Sequence, residues 1–321
     1  MITTGPLQKR DHGGGLDAAM QRYGGLREDW VDLSTGINPV AYPFGQVPHT
    51  AWTELPDTGA MENLIAAART FWQVPDTTEI IAAPGVSSLI TRIPDLVEEY
   101  GAHIPKPTYN EHAAAFAARG RLGNVADPHQ PTHVYVHPNN PDGRLWPPSI
   151  VGDRQLTIID ESFCDTLQEC SHIALTERPG VIVYKGMGKF WGLAGLRLGF
   201  AIGQPETLAG LSDLLGPWPV SGPALWIGAR ALRDSDWAEA TRVRLIRDTA
   251  RLDDLLLSRG AEIVGGTSLF RTYHWPKGCK ALHEHLAQRH ILTRIFPYSQ
   301  TWIRFGLPRN EVEWVRLRTA L

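Results

Sequence analysis

Four short apolar runs recur between residues 50 and 205, and each stops at a turn signal: EIIAAP (79–84), HVYVHP (133–138), LTIIDE (156–161) and VIVYKG (181–186). Between them, MENLIAAARTFW and YNEHAAAFAARG carry apolar residues at helical spacing. Few architectures accommodate this alternation. Strand, helix and strand in repetition predict an α/β domain whose sheet is mostly parallel, with helices on both faces. Such sheets gather their ligands outside the carboxyl ends of the strands. The residues that follow each run are therefore the first candidates for chemistry.

The pattern changes after GPWPVSGPA (216–224). The stretch 226–260 is long, amphipathic and closed by a glycine, which predicts one or two helices. SLFRTYHW, ALHEHLAQRHI and TWIRFGLP then read as strand, helix and strand. We expect a larger α/β domain over 41–214 and a smaller α+β domain over 215–321. HGGG and TGINPVAYP punctuate residues 1–40, predicting an extended arm rather than a packed element.

The 321 residues suffice for two such domains. A net charge of −3 argues against a dedicated nucleic-acid surface, which needs a clustered basic excess. Three cysteines without CxxC spacing suit a reducing compartment and offer no disulfide framework or structural zinc site. Neither a signal-peptide run nor a membrane-length apolar window is present, so a soluble cytoplasmic protein acting on a small molecule is expected, with no membrane partner.

The first run leads into Gly85-Val86-Ser87-Ser88, a glycine turn that opens a helix and suits a phosphate. The second leads into NNPDG, a strong turn that carries Asn140. Asp160 ends the third, where an acid serves either chemistry or helix capping. The fourth delivers Lys189 within GMGKF. That lysine suits a nucleotide loop, a covalent cofactor anchor, or a solvated loop. The nucleotide loop fails, because Val183 and Phe190 stand where GxxxxGK[ST] requires glycine and a hydroxyl. HGGG at 12–15 is similar to an esterase oxyanion element, but no GxSxG accompanies it. HEHLAQRH lacks the second histidine of HExxH at Ala287, so no metal site is expected.

GVSSLI, PTYNEH, HPNNPDG, IDESF, GMGKFWGLAGLRLGF and WIRFGLP follow one another over nearly the whole chain. In that order they resemble the fold-type I pyridoxal-phosphate enzymes of the aminotransferase class I/II family. HGGGLDAA, DLSTGINP, HPNNPDGR, DESF, GLAGLRLGF, WPVSGPAL and RFGLP most resemble the cobalamin-biosynthetic threonine-phosphate decarboxylases, relatives of histidinol-phosphate aminotransferase. The resemblance implies an aspartate aminotransferase-like fold and pyridoxal 5'-phosphate as cofactor. It also implies a homodimer whose N-terminal arm reaches the partner. The implied reaction is decarboxylation of L-threonine O-3-phosphate to (R)-1-aminopropan-2-ol O-phosphate. The second reading is an aminotransferase of the histidinol-phosphate type.

Carried over by position, Lys189 would anchor the cofactor aldehyde covalently and later carry a proton. Asp160 would pair with the pyridine nitrogen, supported by His112, and Asn140 would meet the phenolic oxygen. Tyr109 would stack on the ring. Arg197, with Gly85, Val86, Ser87 and Ser88, would hold the cofactor phosphate. Arg304 would bind the substrate carboxylate beside the backbone of Gly36 and Asn38, and His12 with a nearby arginine would meet the substrate phosphate. Three departures stand out. Gly186 replaces a phosphate-binding serine, removing a donor worth roughly 1–2 kcal/mol. Phe163 replaces a tyrosine common in aminotransferases, and Leu55 replaces the aromatic residue of a YP pair.

Overall fold

The computed structural model describes residues 11–97, 99–152 and 154–321. The chain begins with helix α1 (Leu16–Tyr23), strand β1 (Val31–Asp32) and helices α2 (Thr50–Thr53) and α3 (Thr58–Trp72). Next come β2 (Glu79–Ala83), α4 (Val86–Arg92), β3 (Ala102–His103), α5 (Asn110–Ala118), β4 (Thr132–Val136), β5 (Leu156–Asp160), β6 (Val181–Gly186) and β7 (Gly199–Gly203). Helices α6 (Pro205–Leu215), α7 (Gly222–Arg233) and α8 (Ser235–Leu257) lead to the last elements: β8 (Glu262–Thr267), β9 (Phe270–His274), α9 (Cys279–Ala287), β10 (Ile291–Leu292), β11 (Arg294–Ile295), β12 (Trp302–Gly306) and α10 (Glu311–Ala320).

The large sheet has the order β2-β7-β6-β5-β4-β3. Strands β3 to β6 pair in parallel, and β7 runs antiparallel to both of its neighbours. Both faces are covered, which is why the strands read as continuous apolar runs rather than alternating ones. On β6, Val181 and Val183 join one hydrophobic cluster while Ile182 and Tyr184 join the other. The four expected strands are present. The expectation passed over β7, whose sequence GFAIG opens and closes on glycine inside a motif read as a loop.

Beyond the large sheet, β11-β12-β9-β8 form an antiparallel sheet. The long amphipathic stretch is two helices, divided at Asp234, whose side chain accepts from Trp237 N (3.0 Å) and so caps α8. Buried Ala238, Thr241, Leu245, Thr249, Leu252 and Leu256 form the inward stripe of α8.

Residues 11–40 carry packed elements rather than the extended arm expected of them. Helix α1 packs Leu16 and Ala19 with Trp30, Ala287 and Leu292, and β1 pairs with β10 in parallel. The glycines of HGGG interrupt only residues 13–15; LDAAMQRY behind them is amphipathic, and Gly24 at φ +79° closes it.

Candidate active site

The ends of β2, β4, β5 and β6 converge on two adjoining cavities that share Tyr109, Asn140, Phe163 and Lys189. Glycines make the first cavity possible. A side chain on Gly85, at φ +82°, would lie 2.5 Å from Arg197 Nη2, and one on Gly199 would lie 2.4 Å from Val86 N. The N-terminus of α4 thus settles directly on the end of the β6–β7 pair, where Gly186 faces Gly199. Its first N–H groups have no partner within the helix, and the Arg197 guanidinium lies beside them. Arg197 itself takes a left-handed backbone (φ 52°) and donates from Nη1 to Ala194 O at 2.9 Å. Ser87 lines this cavity. The Ser88 hydroxyl does not; it donates to Gly85 O (2.8 Å) within its own turn.

Asp160 ends β5 and is buried. Its Oδ2 lies 2.9 Å from His112 Nε2 on α5, and its Oδ1 accepts from the backbone N–H and hydroxyl of Ser162. Burial alone would push this carboxyl up, but the hydrogen bond and charge of His112, joined by Ser162, hold it below the ordinary carboxylate range. Tyr109, which begins α5, stands edge-on to His112 (6.1 Å).

Lys189 lies opposite. Burial pushes its amine down to about 8; Arg304 and Arg197 push in the same direction and Asp160 opposes them. Its Nζ is 5.4 Å from the centre of the Phe163 ring, a wall without a hydroxyl. The Lys189 loop is tied from outside: Asn38 N donates to Lys189 O (3.0 Å), Asn38 Nδ2 to Phe190 O (2.8 Å), and Arg244 Nη2 to Asn38 Oδ1 (2.7 Å). Asn38 therefore braces this loop and lines neither cavity, unlike its neighbour Gly36, which does. Gly36 must lack a side chain, because a Cβ would meet Phe270 at 2.8 Å and Phe163 at 2.9 Å.

The two asparagines of NNPDG divide their work. Asn139 is fully buried and staples the turn through Pro107 O, Thr108 and Asp142. Asn140 faces the cavity, and its Oδ1 accepts from Arg304 Nη1. Arg304 Nη2 also donates to Ser34 O (2.7 Å), while Nε is buried without a partner among the described residues. Burial, then neighbouring Arg294, lowers the Arg304 guanidinium to about 10.

Arg294 escaped the sequence analysis. It opens the two-residue β11 directly across from Arg304 on β12, and both line the second cavity. Asp11 Oδ1 accepts from its Nη1 at 2.7 Å and Asp11 O from its Nη2 at 2.8 Å. His12 lies at the same rim, 2.9 Å from Glu111 Oε1 and 6.2 Å from the Tyr109 ring. Asp11, Tyr298 and Thr108 complete it and were also missed. The sequence signal was faint: one arginine in a four-residue segment whose pairing partner lies ten residues on.

Below the cavity floor, His137, Glu161 and Cys164 hold ligand atoms within 4.8 Å of one another, a metal-like grouping. Each already makes a hydrogen bond within the protein, Cys164 Sγ donating to Leu167 O at 3.6 Å. Glu161 accepts from Lys185, Ser171 and His172 N. His137 Nδ1 accepts from Trp146 N, so its Nε2 carries the proton and donates to Cys170 O. The grouping is a hydrogen-bonded support for the ends of β5 and β6.

A buried carboxylate, an amine lowered toward neutrality, and a guanidinium beside a helix N-terminus together suit a phosphorylated aldehyde cofactor. The chain belongs to the aminotransferase class I and II family, whose model matches residues 129–317, and it is a pyridoxal-phosphate-dependent enzyme. It is 38% identical to a threonine-phosphate decarboxylase from Sinorhizobium sp. over 97% of both chains. It is 37% identical to one from Pseudomonas aeruginosa, again over 97% of both. Its fold is similar to the histidinol-phosphate aminotransferase of Sinorhizobium meliloti solved with pyridoxal-5'-phosphate. That likeness has a TM-score of 0.80 at 20% identity and covers 96% of this chain and 93% of the other. The cavity fits the cofactor on this chain's own evidence, since the lysine and carboxylate have opposite charge preferences and Gly85 leaves room for Arg197. Among the described residues no helix is long and apolar enough to cross a membrane.

Proposed function

We propose that this chain decarboxylates L-threonine O-3-phosphate to (R)-1-aminopropan-2-ol O-phosphate, a step of cobalamin biosynthesis, as a homodimer. The observation that carries this reading is the cross-strand pair Arg294 and Arg304, which shares one cavity with Lys189. Two cations on one rim suit a substrate with two anionic groups: Arg304 takes the α-carboxylate, and Arg294 with His12 takes the phosphate.

When bound, pyridoxal phosphate supplies a ring that accepts the electrons left at Cα when one of its bonds breaks. Asp160 offers the ring nitrogen a buried negative charge, kept ionised by His112 and Ser162. Tyr109 would flank the ring, Asn140 would hold its phenolic oxygen, and Arg197 with Gly85, Val86 and Ser87 would hold its phosphate, all of them lining the same cavity. Lys189 would be the residue that holds the cofactor's aldehyde carbon. In its protonated form it would also supply the proton that replaces CO₂ at Cα, a task suited to a group near 8. Arg304, bonded to both Asn140 and Ser34 O, orients the carboxylate so that the Cα–carboxyl bond is the one that breaks.

Exposed apolar side chains favour a second copy of the chain. Trp52, Leu55 and Trp218 are 67%, 70% and 59% exposed, apolar surface that a second copy would cover. Loading the protein with cofactor and adding L-threonine O-3-phosphate tests the reaction. One CO₂ per substrate without added keto acid supports it. Turnover that requires a keto acid and releases no CO₂ assigns the aminotransferase reading instead.

A further inference from the structure

Arg294 and Arg304 are register partners on β11 and β12, both largely withdrawn from water. Like charges directly opposite on a sheet repel, and more so when dry. Among the described residues, the hydrogen bonds of Arg304 go to neutral groups, Asn140 Oδ1 and Ser34 O. The acid in contact with the pair is Asp11, which holds Arg294 through its carboxylate and its own carbonyl at once. That two-point grip on one guanidinium is also the grip a phosphate would use.

We propose that Asp11 is an internal stand-in for the substrate phosphate, holding Arg294 until an incoming phosphate displaces it. The proposal rests on the reading of Arg294 as the phosphate contact. A phosphate carrying about −1.5 to −2 charges cannot share one guanidinium with a carboxylate without like-charge repulsion. One anion must leave, and Asp11 is the one that can. Its side chain is 44% exposed. Among the described residues the strap 11–14 is tied by Asn110 Nδ2 to Asp11 O (2.9 Å), His12 to Glu111, and Gly14 N to Ser34 Oγ (2.7 Å).

There is also somewhere for the carboxylate to go. Asp11, His12 and Arg294 lie between the substrate cavity and a third cavity lined by Arg22, Tyr23 and His283. Arg22, which pairs with Glu284 at 3.2 Å, is a further cation there, and the buried Tyr23 hydroxyl has no hydrogen-bond partner among the described residues. The strap joins α5 to β11, so phosphate recognition is tied to release of this bridge. A substrate with a carboxylate and no phosphate lacks the charge to displace Asp11, which makes Asp11 a specificity-determining residue.

Calorimetry on cofactor-loaded protein with inorganic phosphate tests this, because the cofactor's own phosphate then fills the other anion site. Asp11→Asn and Asp11→Ala are expected to bind phosphate about tenfold more tightly than the unaltered protein, and Arg294→Ala at least tenfold more weakly. Binding of L-threonine, which has no phosphate, should be unchanged in both Asp11 variants. If the Asp11 variants bind phosphate equally or more weakly while Arg294→Ala loses it, Asp11 only orients the guanidinium. The stand-in role then falls and the phosphate subsite stands. If Arg294→Ala binds phosphate normally, the subsite lies elsewhere and both readings fall.

Discussion

Two buried lysines lie four residues apart, one beneath the cavity floor and one within it, and their surroundings drive them in opposite directions. Lys185 ends β6 among acids: its Nζ lies 2.5 Å from Glu161 Oε2 and 4.0 Å from Asp165 Oδ1. Burial opposes its charge, but Glu161, then Cys164 and Asp165, override burial and raise it above the ordinary lysine range. Lys189 meets Arg304 and Arg197 against a single more favourable neighbour, Asp160, so burial prevails and the amine falls to about 8. Burial alone therefore does not make a lysine reactive. The sign of the nearest charges decides whether it becomes a structural cation or a nucleophile.

The largest expected difference between the two regions is in catalysis. Lys189→Ala should lower single-turnover product formation by about 10⁴-fold, because both anchor and proton carrier are lost. A variant that retains turnover would place the proton chemistry on another group. Lys185→Met should leave cofactor capture intact but destabilise the protein by about 3–5 kcal/mol, since Glu161 is left charged and buried. Unfolding in denaturant measures this; unchanged stability with lost cofactor capture would merge the two roles.

A gentler probe is pH. The amine attacks only when neutral, and the neutral fraction of Lys189 rises as pH rises through about 8. Cofactor capture by the apoprotein should thus quicken about tenfold per pH unit below that value and level off above it. A rate still climbing past pH 10 would show an amine with the unperturbed affinity. The smallest effect is expected at Gly186, where a Cβ would sit 3.0 Å from Val86 Cγ2. Gly186→Ser alone should change cofactor affinity by less than about 1 kcal/mol, because the gained hydroxyl is offset by crowding of the stiff Val86. Adding Val86→Ala should release a gain of roughly 1–2 kcal/mol in a cofactor titration. Equal affinities in both variants would mean that the hydroxyl does not reach the phosphate.

The cavity floor was legible in the sequence because each of its residues ends an apolar run or follows one closely. Asp160, Asn140, Lys189 and Gly85 all announce themselves as polar or glycine positions just beyond a strand. The Asp11–Arg294 side of the substrate rim was not, although Arg304, Gly36 and His12 on the same rim were. It joins Asp11 to Arg294, 283 positions apart, through a two-residue strand too short to leave a period. Asn38 and Ser88 stood in the right motifs, yet their side chains are spent elsewhere, Asn38 on the Lys189 loop and Arg244 and Ser88 on its own turn, which spacing does not reveal. Glycines concealed β7 and β8 for a related reason: a strand with few side chains carries little pattern. Helix α1 was hidden by the glycines in front of it.

The contrast between the two lysines is tested most directly by trapping. Cofactor-loaded protein reduced with borohydride, digested and read by mass spectrometry should carry the phosphopyridoxyl label on Lys189 and none on Lys185. Label on Lys185, or on neither lysine, would contradict the assignment of Lys189 as the anchor.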